Sequence, residues 1–259
     1  LILSPLELDL GGGRFEQDGR RRRLTEAGRM VADFADEVLG RTGELETWIR
    51  SQQHGDAGRL RIGLTDAATL YLLPDALMIF RETHPGTEMR LVVDSTSALC
   101  DLLARYDLDL VFAVGPPPEG LVGEVLGTEE LRVYARRGDG TASPDAAEVE
   151  WALPPEGSRT RALIEAGLAE RGLEAVVTLT SQNPDVLRQV AAVGLAWTVL
   201  PEAVGGNDPE LVDVLGEAVA HRPLAMMRRE SAPDDARVAA LSRLARDMVR
   251  LTGAATLAR

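Results

Sequence analysis

From Arg59 onward the chain switches repeatedly between two hydrophobic rhythms. Arg59–Leu64 and Met89–Val93 are strand-length and alternating or largely apolar, and Asp109–Val114 is a buried apolar run. Between them, Tyr71–His84 and Ser97–Tyr106 carry helical spacing, with Pro74 tolerated in a first turn. A second set follows: strands at Leu131–Ala135, Trp151–Leu153, Val176–Thr180 and Trp197–Leu200, helices at Thr160–Arg171 and Asp185–Val193. Leu224–Arg228 reads as a further strand and Asp234–Leu251 as a long final helix. Strands and helices alternating at this spacing predict a parallel, doubly wound sheet. Two α/β lobes of similar make-up are expected, without a fixed-period repeat.

The stretch before Arg59 has a different texture. Asp18-Gly19 lies between Phe15-Glu16-Gln17 and Arg20 to Leu24, and this dipeptide suits the centre of a type I′ hairpin turn. Thr25 can cap a helix, with Glu26 in its first turn opposing the macrodipole. Val31, Phe34, Val38, Thr42, Leu45 and Ile49 then recur at spacings of three and four. If continuous to Gln53, such a helix is roughly 40 Å long at about 1.5 Å per residue. A helix of that length and amphipathicity calls for a partner, here the same helix of a second chain. Gln52 to Gly58 reads as a polar linker.

Composition narrows the class. The 259 residues are 45% hydrophobic but only 4% aromatic, so the core must be aliphatic. No apolar run approaches the ~20 residues that span a bilayer, and no signal-peptide pattern opens the chain, which fits a cytoplasmic protein with no membrane partner. Cys100 is the sole cysteine, excluding an intrachain disulfide and a four-cysteine zinc site. The net charge of −13 does not exclude DNA, because binding follows the local field and Arg20, Arg21, Arg22 and Arg23 are consecutive. These four arginines are the candidate phosphate-contacting residues.

Candidate chemistry lies at strand ends, where backbone N–H groups and helix N-termini converge in open α/β sheets. Four ends are polar: Thr65-Asp66, Asp94 to Ser97, Gly157 to Thr160, and Ser181 to Asn183. Thr65, Asp66, Ser95, Thr96, Ser158, Thr160 and Gln182 are the residues expected to face a ligand. Such groups suit a carboxylate, sulfate, phosphate or polar organic molecule, although Asp66 and Asp94 argue against a highly charged anion. The competing reading makes each Ser, Thr or Asn an ordinary helix cap. For Ser95 the ligand reading expects weaker binding on substitution with little change in stability. His54, His84 and His221 have no partner at catalytic or metal spacing, and no nucleotide-binding or nucleophile motif occurs. Neither an enzyme nor a cofactor is therefore expected. The acidic pairs Glu129-Glu130 and Asp234-Asp235 read as solvated caps.

Several motifs resemble a known family. Leu6-Glu7, Leu10-Gly11, Phe15-Glu16, Asp18-Gly19-Arg20 and Leu24 to Gly28 look like the end of the winged helix-turn-helix domain of LysR-type transcriptional regulators. Arg14 and Gln17 depart from that pattern. Arg59 to Gly63, Tyr71 to Pro74, Asp107 to Leu110, Gly157 to Arg161, and Val193-Gly194-Leu195 with Leu200-Pro201 resemble the family's effector-binding domain. The resemblance implies an α/β fold like that of type 2 periplasmic binding proteins, two-lobed and preceded by a long linker helix. Residues 1–28 would be the remnant of the winged helix-turn-helix, the chain being a fragment cut inside that domain, and 29–53 the linker and dimerisation helix. Residues 59–128 with 224–259 would form lobe I and 129–223 lobe II, joined by two hinge strands. Trp197 stands where the family usually has a small or aliphatic residue, and is either core or a ring that narrows the cleft.

The function implied is that of a DNA-binding transcriptional regulator, a homodimer or homotetramer controlled by a small-molecule effector. The alternative is a free solute-binding protein of the same fold, which would leave the basic hairpin and long helix unexplained.

Overall fold

The computed structural model describes residues 15–18, 21–54, 58–138 and 149–251. Strands β1 (Phe15–Asp18) and β2 (Arg21–Leu24) pair antiparallel, with Phe15 opposite Leu24 and Asp18 opposite Arg21. Placing Phe15 opposite Leu24 fixes the register, since a one-residue slip would set it against an arginine. Asp18 is thus the last paired residue of its strand, not a central turn residue as the Asp18-Gly19 motif suggested; Gly19 and Arg20 lie outside the described residues. Helix α1 (Glu26–His54) begins where expected, the Thr25 hydroxyl accepting from Gly28 N at 3.0 Å. It runs through the start of the expected linker, whose residues 55–57 are not described.

The rest is built on one eight-stranded sheet. Strand β3 (Gly58–Leu64) lies parallel between β4 (Thr87–Val93) and β5 (Leu110–Val114). A π-helical turn (Ala68–Leu72) and α2 (Pro74–Thr83) connect β3 to β4. The expected single helix from Tyr71 breaks here because Pro74 has no N–H to donate and therefore starts a new helix. Helix α3 (Thr96–Ala104) leads from β4 to β5. On the other side, β7 (Glu150–Leu153) is parallel to both β8 (Val176–Thr180) and β9 (Trp197–Pro201), with α4 (Arg159–Ala169) and α5 (Pro184–Ala192) as crossovers. A short α6 (Glu202–Gly205) follows, and α7 (Ala236–Leu251) ends the described chain.

Two long strands join these parallel groups. β6 (Leu121–Arg136) and β10 (Leu211–Arg229) form an antiparallel ladder from Leu121 opposite Arg229 to Arg136 opposite Leu211. β5 pairs antiparallel with β10, and β9 with β6. The spatial order is β4-β3-β5-β10-β6-β9-β7-β8, so the sheet is mixed and not uniformly parallel as expected. Only the ends of β6 and β10 were legible as strands. They contain Gly123, Gly127, Gly216 and Pro223; β10 is bulged between Asp213 and Ala218 and between Ala218 and Ala220, and β6 between Val125 and Gly127. Bulges and glycines destroy the alternation on which strand prediction rests.

Each half of the sheet has an aliphatic core on both faces. Leu60, Ile62, Phe80, Phe112, Leu241 and Val249 fill one face beside β3, and Leu99, Leu103, Val111 and Met227 the other. In the second half, Trp151, Ile164, Leu168, Trp197 and Val199 pack on one side, and Tyr134, Leu187, Leu200 and Leu211 on the other. The acidic pairs are not simply solvated caps. Glu129 is buried on β6 and takes two hydrogen bonds from Arg222 on β10, while Glu130 pairs with Arg132 at 2.6 Å. Asp235 accepts from Arg237 N and pairs with the buried Arg237 guanidinium. Burial pushes the Asp235 carboxyl up, but the Arg237 guanidinium and backbone amides outweigh it and hold it below the ordinary carboxylate range.

Helix α1 makes a close approach to the sheet domain at Gly40. A Cβ added to Gly40 would lie 2.4 Å from the Tyr106 ring, so only glycine lets the helix sit there. Tyr106 itself has a φ of 66° and lies 4.6 Å beneath the Arg229 guanidinium, and its hydroxyl accepts from Arg41 Nε at 3.1 Å.

Candidate functional site

β3, β4, β7 and β8 each pass into a crossover at their carboxyl ends, and these ends face a common cavity of about 270 Å³. β3 delivers Thr65 and Asp66; β4 delivers Asp94 and Ser95 with Thr96 at the start of α3; β7 leads to Ser158, Arg159 and Thr160 at the start of α4; β8 leads to Gln182 before α5. Seven of the eight residues expected at a ligand site therefore line one cavity, drawn from both halves of the sheet. Its volume lies near the lower end of the small-molecule range of roughly 300–1,000 Å³.

Two of the hydroxyls, those of Ser95 and Ser158, cap helices and line the cavity at once. Ser95 Oγ accepts from Ala98 N at 3.3 Å, and Ser158 Oγ from Arg161 N at 3.1 Å. Thr96 Oγ1 accepts from Val114 N at 3.2 Å. A hydroxyl that spends a lone pair on a backbone amide keeps its proton to donate. The expectation that losing the Ser95 hydroxyl changes stability little is corrected by this geometry, since losing an N-cap costs about 1 kcal/mol. Thr65 Oγ1 is buried in the cavity wall without a hydrogen-bond partner among the described residues. An unmet buried polar group costs about 1–3 kcal/mol, which a ligand or water can offset.

Charge is divided unevenly around the cavity. Asp66 and Asp94 stand on the β3–β4 side, where burial first, and the Asp94 carboxylate second, push the Asp66 carboxyl above its ordinary value. Arg222 reaches the wall already neutralised by Glu129 at 2.7 Å. Arg159 Nη1 crosses to the other half and donates to the carbonyls of Val114 at 2.8 Å and Pro116 at 2.7 Å. A second link across the two halves is Tyr71 Oη donating to Asp185 Oδ1 at 2.6 Å.

Residues 53–250 match the family model of the LysR substrate binding domain. The chain belongs to the LysR substrate-binding domain family. A RuBisCO operon transcriptional regulator from Allochromatium vinosum is 29% identical over 203 residues, spanning 75% of this chain and 67% of that protein. The chain covers 39% of the length of two further regulators, each described as a probable RuBisCO transcriptional regulator. A full-length OxyR variant from Pseudomonas aeruginosa superposes with a TM-score of 0.67 at 21% identity, over 96% of this chain and 86% of that one. The effector binding domain of QuiR in complex with shikimate superposes at 0.63 with 14% identity, over 74% and 96% respectively. At these identities the likeness establishes the fold.

Within this LysR substrate-binding domain, Trp197 does not line the cavity. It begins β9, whereas the wall uses Val199, Leu200 and Pro201 at the strand's other end. Its ring packs edge-on against Trp151, with centroids 5.7 Å apart, in the β6–β7–β9 core. Sequence reasoning gave no role to Arg159, Tyr71 or Arg222. Arg159 lay within a singled-out run, but its reach across to β5 depends on tertiary placement. The candidate phosphate contacts fall on the hairpin: Arg21 and Arg22 pair in β2, Arg23 is exposed opposite Glu16, and Arg20 lies outside the described residues. Among the described residues no group of three or more His, Cys, Asp or Glu is placed to hold a metal ion. No described helix is long and apolar enough to cross a membrane.

Proposed function

We propose that this chain senses a small-molecule effector within a LysR-type, DNA-binding transcriptional regulator, with the effector held in the cavity between the two halves of the sheet. The observation that carries the reading is the convergence of Thr65, Ser95, Thr96, Ser158, Thr160 and Gln182, from four strand ends, on one small cavity. The regulatory names of its relatives and the shikimate held by a structural neighbour support it. In this reading residues 59–128 with 224–259 form lobe I, 129–223 lobe II, and β6 and β10 the hinge strands between them. Residues 1–28 belong to a DNA-binding domain of the intact protein, in which Arg20 to Arg23 contact phosphates. The chain works in the cytoplasm without enzymatic activity. A screen of small metabolites by thermal unfolding tests the proposal: an effector at a hundred times its Kd should add about 2.7 kcal/mol of stability. A screen in which only nucleic acid or no small polar molecule stabilises the chain contradicts it.

Residues 29–53 act in this proposal as the dimerisation helix. Met30, Phe34, Val38, Leu45 and Ile49 on α1 are all exposed, Phe34 by 67%, leaving an apolar stripe that a second copy of the helix would cover. Sedimentation of the full chain should show a dimer or tetramer, and Phe34→Asp with Val38→Asp should give monomers. An unchanged species in the double variant places the interface elsewhere.

A further inference from the structure

The cavity offers two opposed kinds of recognition. On the β3–β4 side stand Asp66 and Asp94, and among the described residues no cationic side chain is hydrogen-bonded or ion-paired to either carboxylate. Asp94 Oδ1 accepts only from the adjacent Ser95 N at 2.6 Å among the hydrogen bonds resolved there. The other charged residues of the wall do not answer this pair: Arg222 is bound to Glu129, Arg159 is turned to the carbonyls of Val114 and Pro116, and Glu156 is exposed. Beside them the buried Thr65 Oγ1 lacks a partner. Opposite, α4 presents its N-terminus with Ser158 and Thr160, whose donors and dipole favour a carboxylate.

Resting on the effector reading above, we propose that the effector is a zwitterion of amino-acid type, its ammonium received by Asp66 and Asp94 and its carboxylate by the N-terminus of α4. Two adjacent carboxylates repel when the cavity holds only water, and a ligand ammonium between them removes that repulsion. The proton affinity of Asp66 is raised first by burial and second by the Asp94 carboxylate, and an ammonium beside the pair would oppose both. A purely anionic effector would meet the acid pair and a purely cationic one the positive end of α4, so each wall rejects one simpler ligand class.

The test uses the full chain and three matched sets of probes. These are the proteinogenic amino acids, their 2-hydroxy acid counterparts without the nitrogen, and the corresponding amines without the carboxylate. At equal concentration, at least one amino acid should raise the unfolding temperature while its hydroxy acid and amine have little effect. Asp66→Asn should weaken that amino acid about tenfold or more, as loss of a charge-assisted contact does. The same variant should unfold at a higher temperature than the native chain when no ligand is present, a gain that a merely structural carboxylate would not give. Asp94→Asn should repeat both effects should Asp66→Asn fold poorly. A hydroxy acid as the strongest stabiliser, or no stabilisation by any amino acid, overturns the proposal. A stabiliser weakened by Thr160→Ala but not by Asp66→Asn or Asp94→Asn also overturns it, while leaving the cavity as the effector site. A stabiliser untouched by all three overturns the cavity reading itself.

Discussion

Gly167→Ala should destabilise the protein by roughly 3 kcal/mol, the upper part of the range for forced overpacking. Gly167 lies on α4 where the helix crosses β10, and a Cβ there would sit 1.8 Å from the carbonyl oxygen of Val219. The obstacle is main chain in a paired strand, not the end of a flexible side chain, so the helix as a whole must shift. Its N-terminus carries Ser158, Arg159 and Thr160 into the cavity, and effector binding should fall together with stability. Gly43→Ala is the control: it is also helical but open, with nothing within 4 Å of the added atom, and should gain up to about 1 kcal/mol from helix propensity alone. Urea unfolding with an unchanged slope reads both changes. A tolerated Gly167→Ala would mean that α4 does not pack on β10 as closely as described.

The second large effect is expected at the centre of the β6–β10 ladder. Glu129 and Arg222 face each other across β6 and β10, their side chains only 7% and 9% exposed, with Arg222 Nε at 3.0 Å and Nη2 at 2.7 Å from Glu129 Oε2. Glu129→Met leaves the guanidinium buried without its counter-charge and should cost about 3–5 kcal/mol. Replacing both residues by Met should return most of that loss, because the pair's attraction roughly offsets its desolvation. Equilibrium unfolding of both single variants and the double variant measures the coupling. If the double variant is instead destabilised by the sum of the two single losses, the two side chains act separately and the ion pair has no energetic meaning.

How much of this was legible beforehand depended on whether a feature was local. The strand ends were readable because a parallel strand feeding a helix leaves a short polar turn, and Thr65, Ser95, Ser158 and Gln182 all sit in such turns. Thr25 was readable as a cap because it immediately precedes an amphipathic run with Glu26 in its first turn. The long strands β6 and β10 were not, because Pro223 and several glycines interrupt their pattern, and it is tertiary pairing that holds them extended. That omission also hid the mixed character of the sheet. Of the two readings of Trp197, the core one matches its packing against Trp151; the sequence does not reveal which end of β9 faces the cavity. Arg159, Tyr71 and the Glu129–Arg222 pair act across separations of about 43 to 114 positions, beyond any local signal.

Ser95 shows why the two readings of a polar strand end need not compete. Its oxygen caps α3 while its proton remains available to a ligand, so stability and affinity should both respond to its loss. Affinity is the discriminating quantity. Once a stabilising metabolite is in hand, calorimetric titration of the native chain, Ser95→Ala and Thr160→Ala tests the cavity most directly, with one residue taken from each half of the sheet. Each variant should lose one hydrogen bond to a charged ligand, about 1.5–3 kcal/mol, and bind roughly ten- to a hundredfold more weakly. Unchanged affinity in both, with only the unfolding stability lowered, would show that these residues are structural alone and that the effector binds elsewhere.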